Sequence, residues 1–299
     1  MWQQYLEEIR QGNIKSLSRS ISLVENEYSG YAELLAMLPN QPSSKIIGIT
    51  GPPGAGKSTL VNAMIRFLTG RGKRVAVLCI DPSSPFNLGA LLGDRIRMNA
   101  WYAHPGVYIR SLASRGSLGG LHPKMIEITD LLKAAPFDHI IVETVGVGQS
   151  EVEIAGLADT TVVVMVPEAG DEIQTMKAGM MEIADVFVVN KADRPGADDF
   201  VRNLRQMMAP AYRPAAQRVP VIKTVASVNQ GIEELMEKIM QHEQAVQHSD
   251  RKLYLLAERA YHLIQSQRMR DVNKQALKDK IAALVDREDF NLYQFVRQY

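Results

Sequence analysis

Cysteine is all but missing from this 299-residue chain, where Cys79 stands alone. A lone thiol forms no internal disulfide, and within the apolar run Val75-Ala-Val-Leu-Cys-Ile80 it reads as a small core residue. The six histidines are scattered, with no pair at metal-ligand spacing, and His122 before Pro123 reads as a helix start. An excess of charge of one sign is also lacking. The 34 basic and 33 acidic side chains leave a net charge of +1 and no long like-charge block, so nothing points to nucleic acid or a membrane surface. Long hydrophobic runs are absent. Such runs as Val75 to Ile80 and Val162 to Pro167 are far below the ~18 residues of a membrane-crossing helix. Met1-Trp-Gln-Gln-Tyr-Leu-Glu-Glu lacks the basic and then apolar pattern of a signal peptide. Together these absences predict a cytoplasmic protein without nucleic-acid or membrane partners.

What is present is ordinary globular material, 46% hydrophobic and 22% charged, in a chain long enough for one large or two small domains. Leu6, Ile9, Ile14, Leu17, Ile21 and Val24 recur at three- and four-residue spacings, apart from a step of five between Ile9 and Ile14, and predict helix through about residue 38. Pro39-Asn-Gln-Pro-Ser-Ser44 is a turn-rich linker. Strands are then expected at Ile46–Thr50, Val75–Asp81, Val107–Leu112, His139–Glu143, Thr161–Val166, Val186–Asn190 and Val219–Thr224, most of them separated by helical patterns. Their cores are near-continuous Val and Ile, the mark of a parallel sheet covered on both faces. After Ser249 only helices are expected, at Asp250–Arg268, Val272–Val285 and Asp289–Tyr299. The predicted fold is therefore α/β, a mostly parallel sheet flanked by helices. Its domains run over 1–41 (helical extension), 42–247 (nucleotide domain) and 248–299 (helical arm).

The chemistry starts at Gly51, Pro52, Pro53, Gly54, Ala55, Gly56, Lys57, Ser58 and Thr59, which follow the first strand and open a helix. This is the G-x-x-x-x-G-K-[ST] phosphate loop in the setting its mechanism requires. Backbone N–H groups would wrap a β-phosphate, Lys57 would reach the β- and γ-phosphate oxygens, and the Ser58 hydroxyl would bind Mg²⁺. Asn190-Lys191-Ala192-Asp193 closes a later strand and reads as the guanine signature N-K-x-D. The Asp193 carboxylate would accept from guanine N1–H and the 2-amino group, which adenine does not offer there. The stem of Lys191 would cover the base, and Asn190 would tie its loop to the phosphate loop. A further backbone contact to guanine is expected from Ala226 or Ser227, in Thr224-Val-Ala-Ser-Val-Asn-Gln-Gly231.

Three acids mark the γ-phosphate region. Asp81 and Glu143 end strands, and Asp94 lies in Leu92-Gly-Asp-Arg-Ile-Arg97. Carboxylates beside a polyphosphate repel it unless a cation intervenes, so Asp81, Asp94 and Glu143 imply Mg²⁺ together with Ser58. Gly146, in Glu143-x-x-Gly146, is placed to donate its N–H to the γ-phosphate. Glu143 leads as general base or water-positioning group with Gln149 behind it, and service as a magnesium ligand remains open for Glu143. Arg95, Arg97, Arg110 and Arg115 are available as transition-state cations. The segment Val166-Pro-Glu-Ala-Gly-Asp-Glu-Ile-Gln-Thr-Met-Lys177 reads either as a plain strand-to-helix turn or as an element coupling nucleotide state to a partner.

This set of motifs, with Asp81-Pro-Ser-Ser84, Leu92-Gly-Asp-Arg95 and Glu143-Thr-Val-Gly-Val-Gly-Gln-Ser-Glu151, resembles the MeaB/ArgK-like GTPases, whose human relative is the methylmalonic aciduria type A protein. The resemblance spans roughly residues 40 to 240. It implies a SIMIBI-class P-loop GTPase using GTP/GDP and Mg²⁺, slow alone and stimulated by a partner. That partner would be an adenosylcobalamin-dependent acyl-CoA mutase, typically methylmalonyl-CoA mutase, whose cofactor loading it gates and which it protects. It also implies that 166–177 is the family's switch III and that the C-terminal helices form a homodimerisation arm. The altered fifth motif departs from the common Ser-Ala form. An ATP-dependent kinase of ArgK type and a nickel-insertion GTPase are the alternative readings.

Overall fold

Near-continuous Val and Ile segments form seven parallel strands, the inner ones buried on both faces and the two edge strands only in part. The structure, a computed structural model, describes residues 2–39, 44–81, 98–113, 121–144, 146, 150–168, 178–208, 219–245, 250–287 and 290–299. Three helices lead, α1 (Trp2–Arg10), α2 (Ile14–Glu25) and α3 (Tyr31–Ala36). Strand β1 (Lys45–Thr50), helix α4 (Lys57–Thr69), β2 (Val75–Asp81) and β3 (Val107–Ala113) follow. Next come α5 (Met125–Ala134), β4 (His139–Glu143), α6 (Ser150–Leu157), β5 (Thr160–Met165), α7 (Ala178–Ile183) and β6 (Val186–Val189). The sheet ends with α8 (Ala197–Met208), β7 (Val221–Lys223) and α9 (Ile232–Ala245). Its spatial order is β3-β2-β4-β1-β5-β6-β7.

Alternate strand residues point to opposite layers. Ile46, Ala76, Leu78, Ile140 and Val142 join a core with Leu6, Ile9, Leu17, Ile21 and Val24 of the leading helices. Ile47, Ile49, Val77, Cys79 and Ile141 face α4 and α9 instead. Cys79 is buried, with Sγ 3.8 Å from Met98 Sδ. The leading helical stretch is broken twice, at Gly12 (φ +85°) and Gly30 (φ +91°). A Cβ on Gly30 would sit 2.3 Å from the Trp2 ring, so the turn admits only glycine. Ile14, expected in the apolar stripe, instead opens α2 and is exposed. His122 does mark a helix start, its Nδ1 accepting from the Lys124 N–H at 3.0 Å, just before α5.

The chain divides into two units, Met1–Ser249 and Asp250–Tyr299. The second holds α10 (Asp250–Arg268), α11 (Lys274–Ala282) and α12 (Leu292–Val296). The last two begin later than their apolar pattern predicts, because Asn273 Oδ1 accepts from the Gln275 and Ala276 N–H groups and Asn291 Oδ1 from those of Tyr293 and Gln294, which sets where each helix begins. Among the described residues no helix is long and apolar enough to cross a membrane.

At the edge where the strands begin, Glu243 of α9 lies buried, with Oε1 3.7 Å from His139 Nδ1. Burial, reinforced by Asp159, pushes the Glu243 carboxyl up from 4.5 to about 7, and Lys45 and His242 only partly oppose this. An acid whose folded pKa is raised stabilises the fold fully below its unfolded value, and that stability is lost as pH rises through the folded value. Glu243→Gln is therefore expected to stabilise the protein above pH 7, by roughly 3 kcal/mol at most, with the gain fading toward pH 4.5. Thermal melts of both forms across that range measure it, and a gain independent of pH would refute the assignment.

Candidate nucleotide site

The edge where the strands end gathers the phosphate loop, Glu143, Gly146 and the Asn190–Asp193 turn. Gly51 follows β1 with φ +137°, and a Cβ there would lie 2.1 Å from Val164 O of β5. Gly54 (φ +75°) and Gly56 (φ +86°) give the loop its left-handed turns. The N–H of Ala55 returns to Pro52 O at 3.3 Å, and the loop then enters α4 at Lys57. The first turn of that helix supplies N–H groups and partial positive charge to the loop. A Cβ added at Gly54 would meet nothing within 4 Å, so the cradle is open there to an anion. The Lys57 ammonium is buried and donates to Gly51 O at 2.9 Å and Pro52 O at 3.0 Å.

Glu143 reaches this loop from β4. Its Oε1 accepts from the Ser58 hydroxyl at 2.6 Å, and both side chains are buried. Two hard oxygen donors in contact beside a phosphate cradle fit a Mg²⁺ ion, which favours oxygen ligands and keeps part of its coordination for phosphate and water. Gly146 (φ +88°) packs against the same loop, since a Cβ would lie 2.4 Å from Gly51 O and 2.6 Å from Lys57 Nζ. Asp81 ends β2, two residues beyond the Cys79–Glu143 register pair, and its side chain lies outside the described residues. Asp94 and Gln149 lie outside them as well.

On the other flank Asn190 joins three segments. Its Nδ2 donates to Ala55 O at 2.9 Å, and its Oδ1 accepts from Thr224 Oγ1 at 3.1 Å and Ala226 N–H at 3.2 Å. The backbone of Lys191 is left-handed (φ +56°), and its Nζ donates to Gly54 O at 2.8 Å, laying the side chain across the loop. Asp193 is exposed beside it, and Ala226 and Ser227 lie in a short 3₁₀ turn, Ala226–Val228. Because the Ala226 N–H already serves Asn190, a guanine carbonyl would have to share it.

Arg110 does not stand free for the phosphates. It donates to Glu25 at 2.6 Å and Ser22 at 3.2 Å, both on α2. Arg95, Arg97 and Arg115 lie outside the described residues, as does all of 166–177 after Glu168. Trp101 donates to Asn62 of α4 at 3.1 Å, while Tyr102 is exposed. Motif reading missed two threonine contacts. Thr144 Oγ1 donates to Thr50 Oγ1 at 3.0 Å, clasping the end of β4 to the end of β1, and Thr224 orients Asn190. Their only sequence signal is a threonine immediately beside each motif.

The family profile described as Methylmalonyl Co-A mutase-associated GTPase MeaB matches residues 17–281. This chain belongs to the MeaB family. A Pyrococcus abyssi protein carrying a provisional GTPase name is 48% identical over 255 residues, covering 84% of this MeaB-family chain and 79% of its own. GTPase ArgK of Escherichia coli is 34% identical over 295 residues, covering 95% of this chain and 86% of its own. The crystal structure of an LAO/AO transport system kinase is similar with a TM-score of 0.70 at 25% identity, covering 99% of this chain and 95% of that one. The fold is thus that of the P-loop GTPases, as the resemblance to the MeaB/ArgK-like GTPases implied.

Proposed function

We propose that this chain binds GTP with Mg²⁺, hydrolyses it slowly, and serves an adenosylcobalamin-dependent acyl-CoA mutase, methylmalonyl-CoA mutase first among them. The observation that carries the nucleotide reading is Asn190, whose one side chain joins the phosphate loop at Ala55 to the Thr224–Ala226 segment. That link supports a position for Asp193 near the cradle, where it would accept from guanine N1–H and the 2-amino group. Family membership supports the mutase partner, because the family's description names it.

In this reading Gly51–Thr59 hold the phosphates, and Lys57 turns from its own carbonyls onto β- and γ-phosphate oxygens. Ser58, with Asp81, Asp94 and Glu143 directly or through water, would hold the ion. When bound, Mg²⁺ neutralises charge developing on the phosphate oxygens. Gly146, packed on the loop, would donate its N–H to the γ-phosphate and shift when that group leaves. The 2.6 Å contact to Ser58 favours ion-holding for Glu143, and Gln149 remains the second candidate to orient the water. The exposed Leu253, Tyr261 and Ile264 of the C-terminal unit support a homodimer built through that unit. Segment 166–177 would be the element that answers to the mutase.

Glu143→Ala is expected to slow single-turnover GTP hydrolysis by roughly 10–100-fold while GTP affinity changes less than about fivefold. Recovery at raised Mg²⁺ would assign Glu143 to the ion, persistence of the defect would assign it to the water, and unchanged turnover would remove it from both roles. The whole proposal is tested by measuring GTP and ATP hydrolysis with and without purified methylmalonyl-CoA mutase. Stimulation of GTP turnover is expected. Equal affinity for ATP and GTP would favour the kinase reading that the similar transport system kinase brings to mind.

A further inference from the structure

The turn that carries Asp193 is pinned firmly on one side. The Asn190 N–H donates to Met165 O at 2.8 Å, the Ala192 N–H to Thr224 O at 3.0 Å, and Lys191 Nζ to Gly54 O at 2.8 Å. The turn closes where the Arg194 N–H meets Lys191 O at 3.0 Å, with Ala192 and Asp193 at its two central positions. Beyond Asp193 the chain runs exposed through Pro195 and Gly196 (φ +83°) into α8. A side-chain tether spans this side: the Arg194 guanidinium donates to the Glu168 carboxylate. Glu168 stands three residues past the end of β5, whose last residue, Met165, also accepts from the Asn190 N–H.

We propose that the Glu168–Arg194 ion pair is a positioning clamp, holding the Asp193 turn to the end of β5 and lengthening the residence of bound guanine nucleotide. The inference rests on the GTP reading and deepens it. A carboxylate that must meet two guanine donors at once tolerates little rotation, and a turn secured only before Asp193 can pivot about the Ala192 contact. The Arg194 side-chain bond also holds the Glu168 carboxyl below the usual carboxylate range, so the pair stays charged at neutral pH. Both side chains are about half exposed, at 47% and 49%, which bounds the effect. An exposed pair of this kind corresponds to about a two- to fivefold change in a rate or equilibrium constant, weakened by salt.

Plain electrostatics makes a different prediction. Without a clamp, Glu168 would repel the polyphosphate and Arg194 would attract it, so neutralising them one at a time would move nucleotide release in opposite directions. A clamp moves both the same way. The test is displacement of a fluorescent GDP analogue from the full-length protein, its Glu168→Gln and Arg194→Gln variants, the double variant, and the swap Glu168→Arg with Arg194→Glu. Each single variant is expected to release about two- to fivefold faster at low salt, the double no faster than either single, and the swap to return toward the original rate. Opposite shifts, additive singles or unchanged release would overturn the clamp while leaving the GTP reading intact. An unaltered protein that holds no guanine nucleotide would overturn both.

Discussion

Replacing Lys57 with Ala is expected to cost at least about a hundredfold in GTP affinity and to abolish measurable hydrolysis. In the structure the ammonium is buried in the phosphate loop, donating to Gly51 O and Pro52 O. A bound triphosphate would replace those carbonyls with oxygens of full negative charge. Each charge-assisted hydrogen bond contributes about 1.5–3 kcal/mol, so losing two of them amounts to a factor of 10² or more. Turnover suffers further, since charge on the β–γ bridging oxygen and the leaving β-phosphate grows toward a loose transition state. The apo fold has little to lose, because the substitution also removes a buried charge. A melting temperature within a few degrees of the original would separate loss of binding from loss of fold. GTP affinity within threefold of the original would remove Lys57 from the site.

Asp193→Asn is expected to exchange one base for another. Guanine offers two donors, N1–H and the 2-amino group, to a carboxylate with two acceptors. An amide keeps one acceptor and turns the other position into a donor, which faces the 2-amino group unfavourably. A site built around hydrogen-bond pairing rejects the mismatched partner strongly, and a loss of GTP affinity on the order of 10²–10⁴ follows. Xanthine carries a carbonyl oxygen where guanine has its amine, so xanthosine triphosphate should bind the variant better than the original protein. Asp193 is exposed, so thermal stability without nucleotide should not change. Competition titrations with GTP, xanthosine triphosphate and ATP read the exchange directly. Undiminished GTP binding by the variant would show that some other group reads the base.

Local pattern carried a large share of this molecule into view. Strands β2 and β4 run from Val75 to Asp81 and from His139 to Glu143, as their Val and Ile runs predict, since a strand buried on both faces admits almost nothing else. The phosphate loop was equally legible, because its glycines stand where φ is positive or a Cβ would strike backbone. Asn190 took the expected place against the loop. Helix limits were less legible. The six-position stripe from Leu6 to Val24 spans two helices, because a glycine turn interrupts it at the five-residue step from Ile9 to Ile14.

Contacts between distant strand ends were legible only where a motif implied a shared site, and their direct pairings were not. Glu143 and Ser58 are 85 residues apart, and they meet because β4 lies beside β1 in a sheet order that no local run encodes. That same order brings Thr144 to Thr50 and Glu168 to Arg194. It also leaves Arg110 on β3, at the sheet's edge, where Glu25 of α2 claims it away from the phosphates. The amino-acid sequence by itself determined the element types, the phosphate cradle and the guanine signature, because backbone sterics and burial act within a few residues. Only the tertiary structure decided which acids, hydroxyls and cations face one another, because strand pairing and layer packing bring together residues that the chain holds far apart.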